Sequence, residues 1–243
     1  MWPFFIVILH PMKKLMIVLA VALSVNAQAQ VDIGVGGELG FPLMFNGFVK
    51  GHNHASWVPG ARLAINYTPG QGSFTGSLIA GVSPMILPVV RFNGGQDVLY
   101  MNFTNTNLSL LGRFHKALDN GAELLYGIGV GVNSLKGNRV QISKRSDNDI
   151  SRIIEDSSFY NKVTSPAFYL NLEYIRPLNT SSRVYYGIGA QLHYIYFLDQ
   201  GTKYRVDIID KNLQYFSLQP ELTGHMLNPM VFVNLYYRLG KDN

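Results

Sequence analysis

Seven charged side chains interrupt stretches that are otherwise rich in apolar residues, glycine and asparagine. They are Asp32, Glu38, Arg62, Arg113, Glu123, Glu173 and Arg238. Asp32 begins the first predicted strand and Arg238 lies near the end of the last, and we expect the two to approach each other if these strands pair. Glu38 and Arg62 lie towards one end of the first two strands, whereas Arg113 and Glu123 flank one turn, with Glu173 on the next strand. Two chemistries are open: a path for ions or protons, or ion pairs that fill the inside of a narrow fold. A narrow fold of this kind can have an interior just wide enough to be filled by side chains. We therefore interpret the seven as structural ion pairs.

The histidines offer only weak metal or catalytic chemistry. His52-Asn53-His54 could supply two metal ligands, but no acidic residue is spaced to complete a site, and the chain has no cysteine. His193 falls on the polar face of a predicted strand and could assist a base, although a hydrogen-bonded interior histidine is the simpler interpretation. We predict no metal site and no cofactor.

Known catalytic and phosphate-binding motifs are missing from the sequence. The glycines Gly34, Gly36, Gly37 and Gly40 do not fit G-x-G-x-x-G, and no helix follows that could hold a phosphate. They are better explained as positions that let a first strand bend. There is no G-x-S-x-G nucleophile elbow. We therefore expect the protein not to be an enzyme, with a barrel hydrolase that acts on lipid or protein as an alternative.

The N-terminus has the three parts of a secretory signal peptide. Met12-Lys13-Lys14 supplies a positive start, Leu15 to Val25 is apolar, and Ala27-Gln28-Ala29 is a small-x-small cleavage site. The apolar segment is too short to span a bilayer. We predict that residues 1–29 are a signal peptide cleaved before Gln30, with residues 1–11 an extension upstream of the true initiator. A membrane anchor built from residues 1–25 is the alternative.

Beyond Gln30 the sequence alternates with a period of two, bounded by Gly, Pro, Asn and Asp, which predicts β-strands. The predicted strands are 31–41, 59–67, 74–84, 103–115, 122–134, 166–176, 183–197 and 230–239. Short turns alternate with long segments at 42–58, 85–102, 135–165 and 198–229. That is the pattern of outer-membrane barrels, whose short turns are periplasmic. Residues 30–243 are thus predicted to form an all-β, antiparallel up-and-down transmembrane barrel of about eight strands. Whether 135–165 and 198–229 add strands stays open.

Each predicted strand has one continuously apolar face and one face of Gly, Asn, Ser and a few charges. In strand 122–134, for example, Tyr126, Ile128 and Val130 alternate with Gly127 and Gly129. No lysine falls inside a predicted strand, and a basic residue facing lipid at the midplane would cost about 2–4 kcal/mol. Charged residues make up only 14% of the chain. The apolar faces therefore indicate contact with lipid, with a soluble lipocalin-like barrel as the alternative.

The aromatic residues nearest the short turns form a set at similar depth. One comes from each of the second to eighth predicted strands: Tyr67, Phe74, Phe114, Tyr126, Tyr174, Tyr186 and Tyr237. Tyr and Trp favour the membrane–water boundary, because their rings are apolar while their polar atoms stay hydrated. We predict a periplasmic aromatic girdle here, with Phe41, Trp57 and Tyr196 as candidates for the outer one.

Three features together resemble a known class of protein: the leader through Ala29, the repeated hairpins Tyr126-Gly-Ile-Gly-Val-Gly and Tyr186-Gly-Ile-Gly, and the ending Val231 to Gly240. With them the chain resembles the outer-membrane β-barrel families of the Bacteroidetes, including PorT-like proteins. At fold level it resembles the OmpA-type eight-stranded barrel. The resemblance covers nearly all of the mature chain. Many such barrels end in an aromatic residue, whereas this one continues past Leu239 as Gly-Lys-Asp-Asn. Association with type IX secretion and gliding is implied by that resemblance alone.

From these observations we expect a non-enzymatic protein of the Gram-negative outer membrane, serving as a structural, interaction or secretion-accessory component. A small channel is a further alternative to the barrel hydrolase. The expected partners are outer-membrane lipid and lipopolysaccharide, the barrel-assembly machinery during biogenesis, and secretion-system subunits. Lysine and arginine form no stripe with interleaved aromatics, so nucleic acid is not expected.

Overall fold

The computed structural model describes the chain from residue 29 to residue 239, with gaps. The described residues are 29–45, 57–70, 73–92, 97–119, 121–143, 150–155, 162–179, 183–197, 206–210, 215–218 and 224–239. The predicted signal peptide, its cleavage site apart from Ala29, and His52-Asn53-His54 lie outside them. Within this part of the chain there are twelve strands, and no helix is long and apolar enough to cross a membrane.

Eight of the strands form a closed antiparallel barrel. In chain order the strands are β1 (Gln30–Gly40), β2 (Leu43–Phe45), β3 (Val58–Thr68), β4 (Phe74–Phe92), β5 (Asp97–Ala117), β6 (Glu123–Ser143), β7 (Ile150–Glu155), β8 (Lys162–Pro177), β9 (Val184–Phe197), β10 (Val206–Asp210), β11 (Tyr215–Leu218) and β12 (Gly224–Leu239). The order around the barrel is β1-β3-β4-β5-β6-β8-β9-β12. Pairing of β1 with β12, from Val31 opposite Leu239 to Gly40 opposite Met230, closes it. The predicted barrel of about eight strands is confirmed.

The short turns lie at one end of the barrel, as predicted. The turn between β5 and β6 shows why its residues suit it: Leu118 and Ala122 are bridged by a backbone hydrogen bond of 2.8 Å, and Gly121 has a φ of 73°. Glycine adopts such a left-handed conformation at little cost because it has no Cβ. The long connections all leave from the opposite end, which is therefore the outer one.

The prediction of long loops at 85–102 and 135–165 was wrong, because much of both segments is β-strand. β4, β5 and β6 continue past the barrel rim as a three-stranded extension, with Phe92 still opposite Asp97 and Val98 opposite Ser143. The sequence prediction stopped at Pro84 because proline cannot donate to a ladder. Within the described residues, however, β4 pairs with β3 only as far as Val82, and Pro88 lies at a register shift, so both prolines occupy positions that tolerate them.

The segments 135–165 and 198–229, for which the sequence left the presence of strands open, both contribute strands. β7, from the loop after β6, pairs with β10, from the loop after β9, and β10 pairs with β11. The resulting three-stranded sheet is separate from the barrel sheet. After β1, Phe41 donates its N–H to the carbonyl of Pro229 at 2.9 Å, and β2 then continues the pairing along β12.

Candidate functional site

The periplasmic mouth of the barrel is closed by an arginine shared between two carboxylates. Arg238 donates from Nε and Nη2 to Asp32 at 2.8 and 3.2 Å, and from Nη1 and Nη2 to Glu123 at 3.0 and 3.1 Å. Its guanidinium carbon lies 3.8 Å from the centre of the Tyr185 ring. The three charged groups come from β1, β6 and β12, so this contact spans the lumen.

Above that mouth, a fully buried network crosses the barrel around Arg113. Its Nη1 donates to Glu173 at 2.6 Å and to Asn171 at 3.1 Å, and its Nη2 donates to Asn66 at 2.6 Å. The second carboxylate oxygen of Glu173 accepts hydrogen bonds from Tyr236 at 2.7 Å and Asn234 at 3.0 Å. Because β3, β5, β8 and β12 all contribute, the network forms a plug across the lumen.

The plug corrects the expected neighbours of Arg113. The sequence suggested Arg113 and Glu123 together, since they flank one turn, with Glu173 close by. In the structure Arg113 binds Glu173, with side chains that are both completely buried, whereas Glu123 binds Arg238. Which charged side chains pair across the lumen depends on which of them lie at the same level along the barrel axis. Proximity in the sequence does not specify that level.

Glycines on the inner faces make room for these bulky side chains. A Cβ at Gly187 would lie 2.5 Å from a carboxylate oxygen of Glu173 and 2.9 Å from the Tyr236 ring. The ring of Tyr236 also covers Gly34, where a Cβ would collide with it. Gly34, one of the glycines that fit no phosphate motif, therefore has a packing explanation: the large ring of Tyr236 requires a small residue at the paired position of the neighbouring strand.

A second polar layer lies towards the outer side and differs from the plug. It contains Glu38 and Arg62, which are 6% and 4% exposed, but no hydrogen bond joins them. The guanidinium carbon of Arg62 lies 3.7 Å from the centre of the Phe232 ring, and none of its nitrogens has a hydrogen-bond partner among the described residues. Other buried groups without one belong to Asn105, Asn107, Asn133, Tyr169, His193 and Asn228. Buried polar groups are nearly always hydrogen-bonded, so the groups that have no partner among the described residues set this layer apart from the plug.

An apolar layer lines the inner face at the outer end. Met85, Met101, Phe103, Leu135 and Phe197 are buried there and belong to one hydrophobic cluster. Sequence reasoning missed this layer because most of these residues lay in segments assigned to loops. Their alternation with outward residues, as in Met85, Ile86 and Leu87, was the signal that could have revealed it.

The described residues offer little for catalysis or metal binding. His193 packs edge-on against Tyr169 with ring centres 4.5 Å apart, and neither of its ring nitrogens has a hydrogen-bond partner in this part of the chain, so nothing there orients it as a base. The hydrogen bond expected for it is therefore not made by the described residues. Within the same ranges, no group of three acidic or histidine side chains could hold a metal ion.

The outer surface of the barrel determines its solvent. Large apolar side chains stand exposed on every barrel strand, among them Val35, Leu110, Ile128, Leu170 and Val233 at 54–67% exposure. Soluble monomers rarely expose apolar patches of more than a few hundred Å².

The aromatics predicted as a girdle lie on this outward face towards the short-turn end, where Phe114 packs against Phe74 and Tyr126 with ring centres 6.4 and 5.8 Å apart. At the outer end Phe41 packs against Trp57 at 5.2 Å.

The protein is an outer-membrane β-barrel. A closed sheet leaves no unpaired edge to face lipid, and the band of apolar side chains outside a polar interior fits a bilayer. The predicted localisation in the bacterial outer membrane agrees with this geometry, and the soluble lipocalin-like alternative does not.

No protein-family model matches this outer-membrane barrel, and no curated protein matches it in sequence. Among solved structures it is similar to Ail, the attachment invasion locus protein of Yersinia pestis, solved with the heparin analogue sucrose octasulfate: 11% identity, TM-score 0.45, covering 87% of this chain and 99% of that one. It is also similar to a major outer membrane protein from Thermus thermophilus, at 13% identity and a TM-score of 0.48, covering 86% and 99%. A third is OprG from Pseudomonas aeruginosa, at 10% identity and a TM-score of 0.39, covering 89% and 98%.

Proposed function

We propose that this barrel is a non-enzymatic component of the outer membrane whose activity lies on its outer side, in the separate sheet of β7, β10 and β11 (the outer sheet) and the surface around it, and not in its lumen. The observation that carries the proposal is the plug around Arg113, which crosses the lumen with hydrogen-bonded side chains from four strands. Wide aqueous channels belong to barrels of about sixteen strands or more.

The parts of the protein outside the membrane offer a folded surface to other proteins. The extension of β4, β5 and β6 and the separate sheet of β7, β10 and β11 give the outer side ordered β-structure rather than simple loops. An interaction role, structural or as an accessory to secretion, uses this surface. The resemblance to PorT-like barrels of the Bacteroidetes supports the secretion-accessory form of the proposal by family analogy.

The test compares wild-type protein with a variant in which residues 144–161 are replaced by a short Gly-Ser connection. This deletion removes β7 but spares Leu135, Val140 and Val163, which are buried in the apolar layer. We expect the variant to keep the resistance of a folded barrel to detergent, seen as a gel shift on boiling. A matched control replaces only the turn 69–73, at the periplasmic end.

After extraction in mild detergent, a stable set of co-purifying envelope proteins that is lost from the 144–161 variant and kept by the control would support the proposal. Partners retained by both variants would contradict the assignment of function to the outer sheet. A bound lipid or peptide that is turned over to product would favour the hydrolase alternative, in which case the barrel is an enzyme.

A further inference from the structure

Two lysines stand directly opposite each other on the outward face of the barrel. Lys136 on β6 is the register partner of Lys162 on β8, and both are exposed. Directly opposed residues on antiparallel strands have Cβ atoms about 5 Å apart, and like charges there are destabilising. An arrangement of this kind is stabilised when an anion lies between the two ammonium groups.

The described residues paired with or next to the two lysines supply hydrogen-bonding groups. Thr104 on β5 is the other register partner of Lys136, and it accepts a hydrogen bond from Asn138 at 2.8 Å. Ser134 and Thr164, two residues nearer the membrane, lie within hydrogen-bond distance of each other at 3.4 Å. Among the described residues, no acidic side chain occupies a position paired with or diagonal to either lysine.

The height of the pair places it at the outer lipid boundary. On β6 the last apolar outward residue is Val132, and Lys136 lies four residues further out, about 13 Å along the strand. Since barrel strands are tilted, that distance brings the ammonium groups to the headgroup region, just beyond the apolar band. Neither lysine faces the hydrocarbon, so the cost of a charge in lipid does not arise.

We propose that Lys136 and Lys162 together bind a phosphate group on the headgroup of an outer-leaflet glycolipid. The phosphate would lie between the two ammonium groups, and the acyl chains would descend along the apolar face of β6 and β8 past Val132 and Phe168. Lysine binds phosphate as a compact point charge with three donors. This site depends on which end of the barrel faces outward, and not on the proposed role of the outer sheet. Failure of one proposal would therefore leave the other standing.

The experiment measures binding of defined lipids to the full mature barrel in detergent micelles, by native mass spectrometry. The probes are bisphosphorylated lipid A, lipid A with both phosphates removed, inorganic phosphate, and a sulfated polysaccharide. The test variant is Lys136→Gln/Lys162→Gln. The matched control is Lys116→Gln/Arg176→Gln, which removes two exposed outward cations that are not opposed to each other at the periplasmic end.

We expect wild-type protein to bind the bisphosphorylated lipid about tenfold more tightly than the dephosphorylated one, as loss of a charge-assisted contact implies. The test variant should lose about that factor, and the control should change by less than about twofold. Equal binding of the two lipids, no binding by wild type, or equal losses in test and control would overturn the proposal. Saturation by inorganic phosphate alone would indicate a free-phosphate site, and preference for the polysaccharide a different partner; both contradict it.

A charge reversal separates this site from a merely structural effect. Lys162→Glu would turn the opposed like charges into a cross-strand ion pair with Lys136. In detergent without lipid A, we expect this variant to unfold at a higher temperature than wild type. Adding the bisphosphorylated lipid should raise the unfolding temperature of wild type but leave that of the variant unchanged. A variant stabilised by lipid A as much as wild type would refute the site.

Discussion

Arg238 on the last strand donates two hydrogen bonds to Asp32 on the first strand, although the two residues are 206 positions apart in the chain. They are register partners across the seam where β1 and β12 close the barrel. Because the same guanidinium also binds Glu123, Arg238 connects the seam to the opposite wall. The seam is thus fixed by charge as well as by backbone hydrogen bonds.

A double-mutant cycle with Asp32→Asn and Arg238→Gln should give a coupling energy of about 1–3 kcal/mol, since the two residues share a network. The measurement is the urea midpoint of unfolding in micelles, followed by the fluorescence of Trp57, which is the one tryptophan beyond the predicted signal peptide. A charge swap, Asp32→Arg with Arg238→Asp, should not restore stability because the new aspartate would face Glu123. Full restoration by the swap, or zero coupling, would show that the pair does not stabilise the seam.

The sequence alone predicted the eight barrel strands, the outward apolar faces and the inward position of charges such as Arg62 and Glu173. It could do so because side chains alternate between the two faces of a strand with a period of two. It also predicted that Asp32 and Arg238 approach each other, as they do across the seam, but it did not predict how Arg113, Glu123 and Glu173 divide into pairs. Arg113 reaches Glu173 on β8 rather than Glu123 because meeting points in the lumen depend on strand stagger around a closed barrel, which no local pattern encodes.

The outer end was predicted least well, for a physical reason. Beyond the rim, β5 carries apolar residues inward, such as Met101 and Phe103, and polar ones outward, such as Asn102 and Thr104. That pattern reverses the barrel rule of apolar outside and polar inside, because this part of the strand stands in water. A search of the sequence for strands with an apolar outward face therefore ends where the strand passes from lipid into water, although the strand itself continues.

Removing one partner from the plug should be far more damaging than removing the charges of the outer polar layer. Glu173→Gln leaves the buried Arg113 without its counter-ion, which should cost about 3–5 kcal/mol. The neutral double variant Glu38→Gln/Arg62→Met serves as the comparison, since these two side chains make no hydrogen bond to each other. It should unfold within about 1 kcal/mol of wild type, or at higher urea, because replacing an unbonded buried charge pair is often neutral or stabilising. Urea midpoints in the reverse order would show that the plug is not the stabilising network.

Enlarging a glycine of the inner wall should be costly where the plug lies over it. Gly187→Ala places a methyl group 2.5 Å from the Glu173 carboxylate, so the network must shift, at a cost of about 1–3 kcal/mol. Gly76→Ala is the comparison, because Gly76 lies on the outward face of β4, away from the plug, and its nearest neighbour would be 3.9 Å away. The two variants are compared by the temperature at which the unboiled band disappears from a gel. Equal temperatures would mean that the glycines are not needed for the plug.

Conduction through the lumen should be blocked by two barriers in series. In a planar bilayer we expect wild-type protein to show no stable, porin-sized conductance, because both the plug and the apolar layer of Met101, Phe103 and Leu135 close the interior. Arg113→Ala/Glu173→Ala opens the plug but leaves that layer, and apolar constrictions exclude ions by dewetting. This variant should therefore stay closed, whereas adding Phe103→Ser and Leu135→Ser should produce small, flickering currents. Reproducible large conductance from wild type would favour the channel alternative, and opening by the plug variant alone would show that the apolar layer is no barrier.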